Sequence, residues 1–154
     1  MKRFLFLMVI TAGPVAADPR DDVLTFINIE REIAGCPALT VNRTLEAVAL
    51  AHSEAMAEED FFSHVDRDRR RPADRVTAAG YTWLMAGENI SAGYVDPEAT
   101  VIGWMNSPRH RANILTCAYT ETGIGHAYNP DDGGEVKYGH YWTQVFGRPM
   151  PKDR

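Results

Sequence analysis

Three titratable side chains lie where loops end or helices begin, and they are of the types that carry chemistry in proteins. His64 follows the acidic end of a helical segment, Glu88 lies in a glycine-flanked stretch, and His110 lies just inside a helix that begins after Ser107. Imidazole nitrogens and carboxylates are common zinc ligands and proton carriers near neutral pH. None belongs to a compact motif such as His-Glu-x-x-His, so spacing alone is weak support for a site. The structural alternative is that each ties a loop or a helix end through hydrogen bonds.

The elements that must position these residues are mostly helices. Apolar residues recur at helical spacing, and capping residues or prolines mark the starts of helices. The pattern predicts five helices, which begin at Asp21, Asn42, Pro72, Asp96 and Ser107. The last two abut, with a bend at Pro108.

The last third of the chain has a strand pattern. Residues 123–128 and 138–146 are rich in aromatic and β-branched types and flank a turn segment, 129–134, of Asn, Pro, Asp and Gly. They predict an antiparallel hairpin, while 87–90 is interpreted as a loop that runs into a brief strand. Helices first and a hairpin last indicate an α+β fold class.

Several other residues have structural interpretations. Asn89 and Asn113 are expected to close turns through side-chain to backbone hydrogen bonds. His52, on an apolar helical stripe, and His126, in a glycine-flanked strand, are interpreted as packing residues. The aromatic residues expected in the core are Trp104, Trp142 and Phe146.

The charge of the chain argues against nucleic-acid binding. The net charge is −5, and removal of an N-terminal segment containing Lys2 and Arg3 makes it −7. An acidic protein does not attract a phosphate backbone. The one basic stretch, 67–71 with Arg75, is interleaved with aspartates and is expected to form a solvated, self-paired face.

The N-terminus has the layout of a cleavable secretory signal. A basic start precedes an apolar run of about ten residues and an Ala-x-Ala-like site, which predicts a signal peptide over 1–17 and one domain over 18–154. The run is too short to cross a bilayer, so we expect no membrane span after cleavage. The mature protein is expected to be secreted or periplasmic, and monomeric.

Two cysteines, Cys36 and Cys117, are present in the whole chain. An even count in an exported protein favours a disulfide, and two buried free thiols are the alternative. Neither has a neighbouring ligand at zinc spacing.

Four segments, taken in order, resemble the landmarks of bacterial proteins of the CAP (SCP/PR-1-like) superfamily. They are Phe62–His64, Gly87–Ile90, Trp104–Leu115 and Tyr141–Gly147. They span almost the whole mature chain, and the ordered set is far more specific than any one of them. The resemblance implies an α-β-α sandwich, with helices on both sides of a small antiparallel sheet and a cleft on one face.

The resemblance also implies a set of cleft residues. Members of the family place two histidines and two acidic residues in the cleft, and some bind a divalent metal such as zinc there. His64 matches the first histidine and Glu88 the acid of Gly-Glu-Asn. Ser107 takes the place of a second glutamate of eukaryotic members, and Tyr141 takes that of their second histidine.

Two residues compete to supply the second imidazole. His110, as in the bacterial branch, is preferred over His140. The predicted metal ligands are therefore His64, Glu88 and His110. Further candidates for the cleft are His140, Tyr141 and Ser107.

Two functions from different classes fit these residues. The first is a non-enzymatic binding role in the cell envelope or outside the cell, with a metal, lipid, peptide or other small ligand in the cleft. The second is a metal-assisted, peptidase-like hydrolase that uses His64 and His110 as ligands and Glu88 as ligand or general base. No Gly-x-Ser-x-Gly elbow is present, and Ser107 before Pro108 is interpreted as an N-cap. The sequence leaves catalysis open.

Overall fold

The computed structural model describes residues 18–151, and within them the chain forms five helices and four strands. The predicted signal peptide, 1–17, lies outside the described residues, as do 152–154. In chain order the elements are α1 (Pro19–Ile33), β1 (Thr40–Val41), α2 (Arg43–Glu58), α3 (Pro72–Ala78), β2 (Trp83–Ala92), α4 (Pro97–Asn106), α5 (Pro108–Ile114), β3 (Glu121–Tyr128) and β4 (His140–Pro149).

The strands form one sheet in the order β1-β3-β4-β2. The predicted hairpin of β3 and β4 is confirmed as an antiparallel pair, and β2 pairs antiparallel on the other side of β4. The small antiparallel sheet that was predicted has one added parallel pair, because the two-residue β1 runs parallel to β3. Strand β2 has its other edge free of any described strand.

Helices cover both faces of the sheet, which confirms the α-β-α sandwich. Helix α2 packs across β3 and β4 on one face, whereas α1, α4 and α5 pack together on the other. Trp104, Trp142 and Phe146 are buried between the sheet and the second group of helices, as predicted.

Capping residues set where the helices begin. The side chain of Asn42 accepts hydrogen bonds from the backbone N–H groups of Thr44 and Leu45, and that of Asp96 accepts from Ala99. Both predicted caps are confirmed. Helix α1 starts earlier than predicted, since Asp18 caps it and Pro19 occupies its first turn.

Strand β2 is ten residues long, much longer than the brief strand predicted. Its local sequence contains glycine and polar residues that give no clear strand pattern, but β4 pairs with it along its length. Tertiary pairing therefore overrides a weak local preference.

A disulfide joins Cys36 to Cys117, as predicted. It links the loop after α1 to the loop between α5 and β3. Among the helices of residues 18–151, none has both the length and the apolar character that a bilayer span requires.

Candidate functional site

Glu88 lies at the centre of the candidate site, on the side of β2 that faces α2. It stands opposite Val145 in the sheet, and only 1% of its side chain is exposed. Its Oε1 is 2.8 Å from Nδ1 of His64, and its Oε2 accepts a hydrogen bond of 2.6 Å from Nη2 of Arg75. Both carboxylate oxygens are therefore engaged by protein side chains.

Arg75, on α3, connects Glu88 to the loop that carries His64. Its Nη1 donates to the backbone oxygens of His64, at 3.0 Å, and Arg70, at 2.9 Å. The guanidinium is almost fully buried, so the carboxylate of Glu88 compensates a charge that would otherwise be costly. Arg75 thus departs from the solvated face predicted for the basic stretch, although Arg70 does pair there with Asp66.

His52, on α2, lies directly behind this pair. Its Nε2 is 2.9 Å from the backbone oxygen of Ser63 and 4.0 Å from Oε1 of Glu88. Burial lowers the pKa of His52, and the nearby Glu88 only partly offsets that effect. A neutral ring that donates from Nε2 to Ser63 fits these contacts, so His52 supports the loop leading to His64.

His110, on α5, is brought to the same end of β2 by two asparagines. The side chain of Asn89 donates to the backbone oxygen of His110 at 3.1 Å, and that of Asn113 donates to the backbone oxygen of Glu88 at 3.1 Å. The two asparagine side chains also bond to each other at 2.8 Å. The predicted side-chain to backbone bonds are present, but they join β2 to α5 across 21 and 25 residues and do not close turns as predicted. Burial lowers the pKa of His110, and the neighbouring His64 lowers it further.

A groove of about 300 Å³ runs beside these residues along the outer edge of β2. Ser107 lines it and occupies the predicted N-cap position of α5, but its side chain makes no capping hydrogen bond. The larger side chains that line the groove are Phe62, Ile90, Tyr94, Trp104, His110 and Tyr138.

The structure places the other two cleft candidates elsewhere. His140 Nδ1 is 3.0 Å from Nε2 of His126, whose ring stacks on Trp142 on the sheet face opposite to Glu88. The hydroxyl of Tyr141 donates to Asp132 at 2.7 Å, and the residue is fully buried. Of the two competing imidazoles, it is therefore His110 that lies near His64.

The predicted metal ligands do not form a ready coordination set in this geometry. Within residues 18–151, no group of three or more His, Cys, Asp or Glu side chains is arranged to hold a metal ion. Coordination by Glu88 would place a cation beside the guanidinium of Arg75, which lies 2.6 Å from Oε2, and the repulsion between the two charges opposes it. In this arrangement the residues do not fit a zinc ligand set, and metal binding stays a prediction.

Two residues of the site are not predicted from the sequence. The pattern indicates a packing role for His52 and a solvated face for Arg75, yet both contact or closely approach Glu88. The available signal is a histidine on an otherwise apolar helical stripe, because a buried imidazole needs a polar partner. The sequence contains no comparable signal for Arg75.

The fold and this site define a class of protein: an α-β-α sandwich with histidine and glutamate side chains gathered at one edge of its sheet. The family model described as CAP, the cysteine-rich secretory protein family, matches residues 24–146, and the chain belongs to this family.

Two relatives come from Bacillus subtilis. YkwD of Bacillus subtilis (strain 168) is 36% identical over 124 residues, which are 80% of this chain and 45% of that protein. The membrane protein YlbC of the same strain is 38% identical over 103 residues, which are 67% of this chain and 30% of the relative. The chain thus spans less than half the length of either relative.

Solved structures of other proteins have the same fold as this chain. An extracellular protein containing a SCP domain from Bacillus anthracis superposes with a TM-score of 0.73 at 29% identity, covering 89% of this chain and 45% of that one. An outer surface protein from Borrelia burgdorferi superposes with a TM-score of 0.76 at 18% identity, covering 86% of this chain and 93% of that one. The second similarity concerns the fold alone.

Proposed function

We propose that this protein is an exported CAP-domain protein with a non-enzymatic binding role in the cell envelope or outside the cell. Its ligand site is the groove along the outer edge of β2, next to His64 and His110. The ligand is a small molecule or a segment of a larger partner.

The disulfide and the relatives support export. A disulfide persists in oxidising compartments and is rare in the cytosol. The Bacillus anthracis structure, at 29% identity, is of an extracellular protein. Both agree with the signal sequence predicted over 1–17.

The single observation that carries the binding role is the engagement of Glu88 on both oxygens beside an aromatic groove. Glu88 bonds to His64 and Arg75, is 1% exposed and is not among the residues that line the groove, so it is not presented to a molecule bound there as a general base or a metal ligand. The groove instead offers apolar surface with a few polar groups, which is typical of ligand sites. The geometry therefore favours binding over the alternative, a metal-assisted hydrolase.

A fragment screen by protein-observed NMR tests the site. Small carboxylic acids and amides with aromatic or aliphatic tails are added to the mature protein, and backbone shifts are mapped. We expect shifts clustered at Phe62, Tyr94 and His110. The variant Ser107→Phe fills the groove without removing a capping bond and should abolish them. Shifts that cluster elsewhere, or that persist in the variant, would reject the groove as the ligand site.

The metal-dependent alternative has its own test. Calorimetric titration of the mature protein with zinc at neutral pH should show no binding at this site, because within residues 18–151 no set of three ligand side chains is arranged to hold a metal ion. Zinc binding that disappears in His64→Ala, together with cleavage of a peptide substrate, would replace the binding role with hydrolysis.

A further inference from the structure

Strand β2 presents unpaired backbone groups at the edge of the sheet. In an antiparallel pair, successive residues point their N–H and C=O groups alternately toward the partner and away from it. The N–H of Gly93 donates to His140 of β4 at 2.9 Å, so the backbone groups of Ile90 and Ala92 point outward. Within residues 18–151 no side chain bonds to these outward groups.

At Glu88 the same edge is not available for pairing with another strand. Its outward carbonyl already accepts a hydrogen bond from Asn113, which belongs to α5. An added strand can therefore pair with Ile90 and Ala92 but must end where α5 covers the edge.

The free part of the edge lies in the groove, between aromatic walls. Phe62, Tyr94 and Tyr138 are all exposed there, and Phe62 and Tyr138 contact each other edge to face. Exposed edges are normally blunted by charge, proline or a cover. This one has apolar walls instead, as expected of a surface that pairs with another chain.

Two buried polar groups in the groove wall have no partner within the described chain. They are the Ser91 hydroxyl and the Trp104 indole N–H, in residues that are 7% and 1% exposed. Buried polar groups are normally hydrogen-bonded, so the wall retains unused capacity for polar contacts.

At the Glu88 end of this edge, the charges around the groove favour an anionic ligand. None of the groove-lining residues is acidic, and Glu88 nearby is already paired with Arg75. His110 lines the groove, and His64 lies close to it with a side chain that is 47% exposed. His110 can donate a ring N–H to a carboxylate ligand, and no acidic side chain lines the groove to repel one.

We propose that the edge of β2 at Ile90–Ala92 binds the apolar C-terminal segment of another polypeptide as an added strand, with its terminal carboxylate at His110. The added strand runs antiparallel to β2, because Glu88, where the edge is not available, precedes Ile90. Backbone bonds hold the peptide, while the aromatic walls select apolar side chains. This inference rests on the proposed function, since it assigns a ligand class to the same groove.

Fluorescein-labelled alanine-rich hexapeptides ending in Leu, Val or Phe test the proposal by fluorescence polarisation. A peptide with a free carboxylate should bind, and its C-terminal amide should bind about tenfold more weakly or worse, because a charge-assisted bond is lost. Methylation of a peptide backbone nitrogen near the C-terminus should weaken binding similarly. Equal binding of all three forms would overturn strand addition.

A matched pair of variants tests the strand edge itself. Ala92→Pro removes an outward N–H without breaking a bond to β4, and Ala92→Ser keeps that N–H. We expect the proline variant alone to lose peptide binding by about tenfold. If it does not fold, the methylated peptide decides.

Binding of a fatty acid, decanoate, separates failure of the peptide proposal from failure of the proposed ligand groove. One outcome is that decanoate binds in the groove of the wild type and of Ala92→Pro but not of Ser107→Phe, while the peptides bind to none of them. That outcome would overturn the peptide proposal and leave the groove as a ligand site. Absence of both peptide and fragment binding would overturn both.

Discussion

Glu88 joins β2 to two preceding segments, because each of its oxygens bonds to a different one. His64 comes from the loop after α2, and Arg75 comes from α3. A buried ion pair of this kind adds little net stability, but loss of one partner leaves an uncompensated charge. The pair therefore fixes the position of the His64 ring more than it stabilises the fold.

A second histidine cluster lies on the opposite face of the sheet. His126 stacks on Trp142 and lies within hydrogen-bonding distance of His140. Burial lowers the pKa of His126 to about 4, and the neighbouring His140 contributes to the shift. The ring is thus held neutral in the folded protein.

This cluster makes stability depend on pH. An unfolded His126 titrates near pH 6.5 and the folded one near 4, so between these values the unfolded state binds more protons. The contribution is complete above pH 6.5 and is lost as the pH falls toward 4, by at most about 3 kcal/mol. Urea unfolding at pH 7 and pH 4.5 should show a smaller loss for His126→Phe than for the wild type. An equal loss would mean that His126 is not buried as described.

At the scale of elements, the packing of α2 on β3 depends on two glycines. A Cβ at Gly123 would lie 2.0 Å from the backbone nitrogen of Glu46, and one at Gly125 would lie 2.2 Å from the carbonyl carbon of Ala49. The helix backbone therefore rests directly on the strand. This close approach positions His52 and the start of the His64 loop.

Gly125→Ala should lower the free energy of unfolding by about 3 kcal/mol, because rigid backbone must move to admit the methyl group. Gly133→Ala is the matched control, since its nearest neighbour is 3.5 Å away, and it should change stability by less than about 0.5 kcal/mol. Urea denaturation measures both. Similar effects of the two substitutions would contradict the direct contact of α2 with β3.

The elements also show which parts of the fold could be predicted. Asn42 and Asp96 are strong local signals, so the starts of those helices follow from the sequence. Strand β2 has no comparable local signal, and its length follows from pairing with β4. The ordered landmarks indicate His64, Glu88 and His110, whereas Arg75 depends on burial that only the assembled fold creates.

At the scale of the whole molecule, two connections hold the segment between α5 and β3. The disulfide fixes Cys117, and the fully buried Arg31 donates to the backbone oxygens of Ile114, Thr116 and Tyr119. Since α5 carries His110, these contacts connect the global fold to the candidate site.

Replacement of both cysteines by serine should destabilise the protein by about 4 kcal/mol, because the disulfide closes a loop of 81 residues. The Tm should fall by about 10 °C or more. Calorimetry of the two proteins measures the difference, and the wild type under reducing conditions is the control. A double variant with an unchanged Tm would show that the crosslink contributes nothing.

Nitrogen-15 NMR of the histidine rings tests the central claim most directly, namely that Glu88 holds His64 beside the groove. We expect neutral His64 to carry its proton on Nδ1, where it bonds to Glu88, and we expect Glu88→Gln to shift the ring toward the Nε2–H form. A His64 ring that is mainly in the Nε2–H form in the wild type, and unchanged by the substitution, would contradict it.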